Sequence, residues 1–296
     1  MKNKTSVVWF GNEQLAQGLE RAVTPSFETL IRERYEIRGV VLPSENKKNP
    51  FEIVKVAERA GVRVYYAQTT DEILELTRKL GAEVGVLASF GKIIPEAVIE
   101  AFPLGILNIH PSLLPKYRGT TPIESAILNG DKETGVSVMG LIKEMDAGPI
   151  YAQEKLALRG NESKQAVYEQ LAEMGAKLLI RVLKEVVEGD YEPTEQDESQ
   201  ASFTQKLDKR AGWLRPEEFG AAELERQVRA YAGFPKSKYE FFGIACAVVR
   251  AYVGDGAGSE LDLKCKDGKY LCIDQLVPAG RKVMGAADFL RGYTRR

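Results

Sequence analysis

Histidine is almost missing from this chain: His110 is the only one in 296 residues. Any step that needs a side chain titrating near neutrality therefore has one imidazole to draw on. Cysteine is scarce too. Cys246, Cys265 and Cys272 are odd in number and show no C-x-x-C spacing, which leaves no basis for a structural zinc site, and no metal is expected. No apolar run approaches the roughly 20 residues of a membrane span. The first residues carry neither an apolar signal core nor an Arg-rich transit pattern, so the expected location is cytoplasmic. Gly11 and Gly18 do not form a dinucleotide fingerprint, and no Walker sequence occurs.

What remains is ordinary globular composition, 44% hydrophobic and 28% charged, over a length that can hold two cored domains. The net charge of −1 hides an asymmetry. Residues 201–296 carry 17 Lys and Arg against 12 Asp and Glu, a surplus of +5, which leaves −6 on residues 1–200. A basic final third on an acidic body fits a polyanionic partner, and equally a mixed solvated surface.

Strand and helix patterns alternate through the first 110 residues. Residues 7–10 form an apolar run closed by Gly11, and the spacing predicts a helix from there through Leu19 and Ala22. Residues 35–42, 62–66 and 84–88 read as further strands, separated by helical patterns over 51–60 and from Thr70 or Asp71 to Leu80. This alternation argues for a parallel sheet with right-handed crossovers. Residues 122–128 read as a helix, 135–139 and 150–153 as strands, and 161–188 as the longest helix. The polar stretch after it places a linker where few packing contacts are needed. A short helix over 222–230 follows. Beyond Tyr239, short apolar runs alternate with turns such as Gly254-Asp255-Gly256 and Lys266-Asp267-Gly268, a small antiparallel β unit of oligonucleotide-binding (OB-like) barrel type. The expected organisation is an α/β catalytic domain over 1–190, a linker over 191–203 and a β-barrel over 204–296.

The most informative stretch runs from residue 105 to 119. An apolar run leads into Asn108 and His110, which as i and i+2 of a strand face the same side. Pro111 then ends ladder pairing. A lone His after an apolar run also fits a satisfied structural residue. The Asn partner, the ordered loop and a later turn, Met145-Asp146-Ala147-Gly148, favour chemistry at a strand end, where open α/β sheets bind ligands.

Asn108-Ile109-His110-Pro111-Ser112-Leu113-Leu114-Pro115-Lys116-Tyr117-Arg118-Gly119, with Pro122 and Asp146-Ala147-Gly148, resembles the folate-dependent formyltransferases. Arg229-Ala230-Tyr231, Phe234-Pro235 and residues 286–292 extend the resemblance over nearly the whole chain. It implies a Rossmann-like formyltransferase domain with 10-formyltetrahydrofolate as co-substrate, and Asn108, His110 and Asp146 as the catalytic positions. It also implies that the segment holding Leu87, Ser89, Phe90, Gly91 and Ile93 meets the pterin ring, with Ser112, Leu113, Leu114 and Pro115 as further folate contacts. An ordinary strand-to-helix turn would have the same look over 87–95.

Length and the final third look most like the branch that formylates methionyl-tRNA, a monomer whose partner is the aminoacylated initiator tRNA. Lys206, Lys209, Arg210, Lys236 and Lys238 are the candidate phosphate contacts. Formylation of an amino group on a nucleotide-linked sugar is the alternative. Hydrolysis of the formylfolate, or catalytically silent folate or RNA binding, are further readings. Two departures stand out. The family's Thr-Pro pair after the first glycine is replaced by Asn12-Glu13, and the basic loop after the second strand is reduced to residues 43–50, with two lysines and no arginine.

Overall fold

The structure is a computed structural model and describes residues 5–45 and 51–293. Its larger sheet has seven strands. β1 (Ser6–Phe10) lies inside the sheet and is buried along its whole length, as a strand covered on both faces must be. β2 (Glu36–Pro43) and β3 (Val64–Ala67) extend the sheet on one side, β4 (Val84–Leu87) and β5 (Ile106–His110) on the other. These five are parallel. β6 (Glu133–Gly140) and β7 (Ile150–Ala157) complete the order β3-β2-β1-β4-β5-β6-β7, each antiparallel to the strand before it. Strand order reverses between β1 and β4, which opens a crevice at their carboxyl ends.

Alternation along the strands sorts the core into two layers. Val7, Trp9, Leu107 and Ile109 face a layer made by α1 (Pro25–Arg32), α2 (Glu52–Arg59), α5 (Pro122–Asn129) and α6 (Lys164–Glu188). Val8, Phe10 and Ile106 face α3 (Thr70–Leu80) and the four-residue α4 (Glu96–Ile99). Asn108 and His110 share the face of Ile106. Beyond the end of β5 that face opens onto a cleft.

Capping sets the helix ends. Thr69, one residue before the expected cap, forms a reciprocal capping box with Glu72, and Gly81 closes α3 in the left-handed conformation. Ser163 caps α6 and Gly189 ends it.

The remaining strands form a separate antiparallel sheet. β8 (Ser237–Phe241), β9 (Ile244–Gly254), β10 (Leu263–Lys264) and β11 (Tyr270–Pro278) lie in the order β10-β11-β9-β8, and β12 (Met284–Gly285) pairs with β11. Register shifts between Ile273 and Leu276 curl the sheet around its own core of Val248, Leu271, Leu276 and Phe289. Phe289 comes from the terminal helix α8 (Ala286–Tyr293). α7 (Ala221–Ala230) joins the two regions. Its Leu224 and Val228 enter the small core, while Ala230 and Tyr231 enter the large one.

One expectation needs correction. The helix expected from Asn12 through Ala22 is an irregular loop, and the first helix begins at Pro25. The helical spacing of Leu15 and Ala16 reflects burial of a loop whose polar groups are bonded elsewhere. Glu13 N–H donates to the Ala88 carbonyl at 3.0 Å, and its carboxylate accepts from Ser26 and Phe27 N–H at 2.7 and 3.2 Å, capping α1. Thr24-Pro25 supplies a Thr-Pro pair at that helix start. The polar stretch after α6 makes ordered backbone contacts with the larger domain. Thr194 bridges Ile150, and Ser202 and Thr204 exchange backbone bonds with Arg118. Of the short loop over 43–50, residues 46–50 lie outside the described residues, as do residues 1–4.

Candidate active site

Gly11, Ser89 and His110 stand at the carboxyl ends of β1, β4 and β5. Gly11 is forced by a close approach: at φ +100° a Cβ would lie 2.2 Å from the Ala88 carbonyl oxygen. Between these strand ends lies a cleft of about 470 Å³, bounded by Gln14 and Leu15 on one side and by Ile142, Met145 and Asp146 on the other.

β5 delivers Asn108 and His110 to one face, and both reach Asp146. Asn108 Nδ2 lies 3.4 Å from Asp146 Oδ1, and His110 Nδ1 lies 3.7 Å from Oδ2. Both strand residues are buried, while the Asp146 side chain keeps 14% of its surface exposed to the cleft. Loop contacts fix the imidazole. Its Nε2 lies 2.9 Å from the Tyr117 carbonyl oxygen, an acceptor only, so Nε2 carries a proton. Nδ1, facing Asp146 and the cleft, is then the position that can take or give one.

Tyr117 presents that carbonyl from a left-handed backbone at φ 61°. Its hydroxyl donates to Asp131 at 2.8 Å and accepts from Asn129 at 2.7 Å. Burial and the Asp131 carboxylate raise the phenol above its usual range, so it stays a donor. Asp146 is also left-handed, at φ 52°, and its Oδ2 accepts the Gly119 N–H at 2.8 Å. The arrangement can donate from an amide, hold a carboxylate against an imidazole, and pass a proton at Nδ1.

The other sequence candidates divide. Leu87, Ser89, Phe90, Gly91 and Ile93 line the cleft, with Ser89 and Gly91 in a left-handed turn and open space beside Gly91. Ser112, Leu113, Leu114 and Pro115 are not among its lining residues. They pack toward β6 and β7: Leu114 N–H donates to Ser137, and the Leu114 carbonyl accepts from Gln153 at 2.9 Å. The basic candidates follow the loop that pairs with Arg118. Lys238 exchanges backbone bonds with Gly212 and Leu214, which brings Lys236 and Lys238 beside Lys209 and Arg210. None of these five cations, Lys206 included, is ion-paired among the described residues.

Sequence reasoning missed Glu13, Lys164 and Gln196. Lys164 is fully buried against Glu124 at 3.6 Å and donates to the Gln17 carbonyl at 2.5 Å, under the loop that forms one wall of the cleft. A lone Lys at the start of a helical pattern gives no signal of this.

A family model described as formyl transferase matches residues 6–183. Methionyl-tRNA formyltransferase of Pediococcus pentosaceus is 30% identical over 97% of this chain and 94% of its own length. Among solved structures, HypX from Aquifex aeolicus superposes with a TM-score of 0.71 at 16% identity, over 97% of this chain, which spans 49% of that protein. The N-formyltransferase from Helicobacter canadensis, solved with folinic acid and dTDP-3-aminofucose, gives 0.69 at 17% identity, over 91% of this chain and 98% of that one. At these identities the structural likeness establishes the fold.

Proposed function

From the premise that the chain belongs to the formyl transferase family, we propose that it transfers the formyl group of 10-formyltetrahydrofolate to the amino group of methionyl-tRNA. The observation that carries this reading is the meeting of Asn108, His110 and Asp146 at the open end of β5, in a chain similar over nearly its full length to methionyl-tRNA formyltransferases. The cleft suits the folate: it is largely apolar, with a strand-end turn at Ser89 to Gly91 beside it, as a flat heteroaromatic with several donors and acceptors requires.

The reaction is acyl transfer: the amine adds to the formyl carbon, negative charge develops on the formyl oxygen, and collapse of the tetrahedral centre breaks the bond to the folate nitrogen, which takes up a proton and leaves as tetrahydrofolate. Asn108 donates its free amide hydrogen to that oxygen without titrating. His110 donates from Nδ1 when protonated. Asp146, 3.7 Å from Nδ1, orients the imidazole and draws off the proton shed by the amine, directly or through a water. The curled antiparallel unit is the OB-like, tRNA-facing domain, and its basic edge at residues 206–210 and 236–238 meets phosphates. We take 1–190 as the catalytic domain, 191–203 as the linker and 204–296 as the acceptor-binding domain, in a cytoplasmic monomer.

The likeness to the Helicobacter canadensis N-formyltransferase favours one second reading, a nucleotide-linked amino sugar as acceptor. Offering the enzyme 10-formyltetrahydrofolate with methionyl-tRNA in one reaction and with such a sugar in another separates the two. Formyl transfer to methionyl-tRNA supports the proposal; transfer to the sugar alone, or release of formate without any acceptor, overturns it.

A further inference from the structure

Asp146 sits in a left-handed turn, at φ 52°, and the structure holds that turn from two sides. On the side-chain side the contact is the Gly119 N–H. On the backbone side it is a residue 50 positions away in sequence. The Gln196 amide donates through Nε2 to the carbonyls of both Asp146, at 2.9 Å, and Gly148, at 2.7 Å. Its Oε1 accepts two bonds from Arg118, Nε at 3.0 Å and NH2 at 2.8 Å.

The orientation of this amide is fixed by chemistry. Carbonyls only accept and a guanidinium only donates, so the NH₂ end must face the Asp146 turn and the oxygen must face Arg118. Arg118 is nearly fully buried, and two more of its N–H groups go to Glu198 at 2.6 and 3.0 Å. Arg118 also lies between Tyr117, whose carbonyl meets His110, and Gly119, whose N–H meets Asp146. Gln196 thus ties the two sides of the candidate site, the loop after β5 and the turn before β7, into one unit.

We infer that Gln196 is a positioning residue for Asp146, setting where the carboxylate stands relative to His110 Nδ1. This rests on the reading of Asp146 as catalytic. Displacement of a reacting group by an ångström costs on the order of 10²-fold in rate.

Single-turnover transfer from 10-formyltetrahydrofolate to methionyl-tRNA, with folate affinity and thermal unfolding measured alongside, tests it in four variants. Gln196→Glu keeps the acceptor for Arg118 but sets a carboxylate against two carbonyls. Gln196→Met removes both donors without adding charge and serves if the Glu variant folds poorly. Asp197→Ala loosens the same linker, where among the described residues its carboxylate bonds only Ser199 and Gln200, without touching Arg118 or the Asp146 turn. Asp146→Ala removes the group being positioned. The expected result is a rate loss of about 10²-fold for the Gln196 variants, with folate affinity retained, a shifted pH–rate profile, and little further loss when combined with Asp146→Ala. Asp197→Ala should keep its rate within about threefold of the parent.

Gln196 variants with near-normal rates, beside an Asp146→Ala that has lost transfer, overturn the inference alone. Equal losses in Gln196→Met and Asp197→Ala, tracking their loss of stability, also overturn it, since the linker would then be structural only. An Asp146→Ala variant with full activity overturns the reading of the site itself.

Discussion

Two buried polar clusters lie on opposite sides of the residue 14–17 loop. Asn108, His110 and Asp146 meet on the cleft side. Glu124 and Lys164 meet behind the loop, where Lys164 also reaches the carbonyls of Gln17 and Phe234, and Gln17 N–H donates to Glu124 at 3.0 Å. Burial raises the Glu124 carboxyl and lowers the Lys164 ammonium, and their mutual attraction opposes both shifts. By charge alone the second cluster is the better candidate for chemistry. It lacks access. Glu124 and Lys164 are sealed by the loop, α5, α6 and the segment after α7, whereas Asp146 opens to about 470 Å³ of cleft. A buried charged pair therefore marks a fastening as readily as a reaction centre, and solvent access decides between them.

Substitutions should separate the clusters by what they damage. His110→Ala is expected to lower kcat by about 10²–10³-fold, the usual loss for an oxyanion donor, while thermal unfolding stays close to the parent. Stopped-flow or quenched single-turnover rates check this. Lys164→Met should do the reverse, costing about 3–5 kcal/mol of stability because it strands a buried carboxylate, with kcat nearly intact in the folded fraction. Denaturant unfolding measures it, and adding Glu124→Gln should restore much of the loss.

A smaller effect belongs to Glu13, whose carboxyl burial pushes up to about 8 despite the Ser26 and Phe27 N–H groups that favour its charge. Between about 4.5 and about 8 the folded state binds the proton that the unfolded state has lost. Stability from this group is therefore greatest at the acid end and falls as pH rises through that window. Glu13→Gln should flatten the slope of unfolding midpoint against pH from 5 to 8, leaving the transfer rate at saturating substrates unchanged. Smallest of all is the acceptor surface effect on chemistry itself. Reversing the charges of Lys206, Lys209, Arg210, Lys236 and Lys238 should raise KM for tRNA and reduce its salt dependence by up to about 0.9 per lost phosphate contact, with folate KM and single-turnover rate nearly constant.

The meeting of Asn108, His110 and Asp146 was largely legible in the sequence and the Glu124–Lys164 fastening was not. Strand periodicity alone puts Asn108 and His110 on one face, and the turn chemistry of Asp146-Ala147-Gly148 marks a partner. Local pattern also located the parallel strands, because a doubly covered strand is a continuous apolar run. The 12–24 loop misled because its buried leucine and alanine mimic helical spacing while its hydrogen bonds run to Ala88, Ser26 and Tyr168. Lys164 and Gln17 are separated by 147 positions and Gln196 and Arg118 by 78, so only the folded chain brings them together. Ser112 to Pro115 carried a recognisable motif, yet their side of the loop packs on β6 and β7.

The central claim is that three side chains at the end of β5 act as one catalytic unit. Single-turnover formyl transfer to methionyl-tRNA, measured for Asn108→Ala, His110→Ala, Asp146→Ala and the triple variant, tests it most directly. Groups acting as a unit lose nearly everything together, so each single variant should fall most of the way to the triple. A single alanine variant that transfers at close to the parent rate, or three losses that simply multiply, would contradict it.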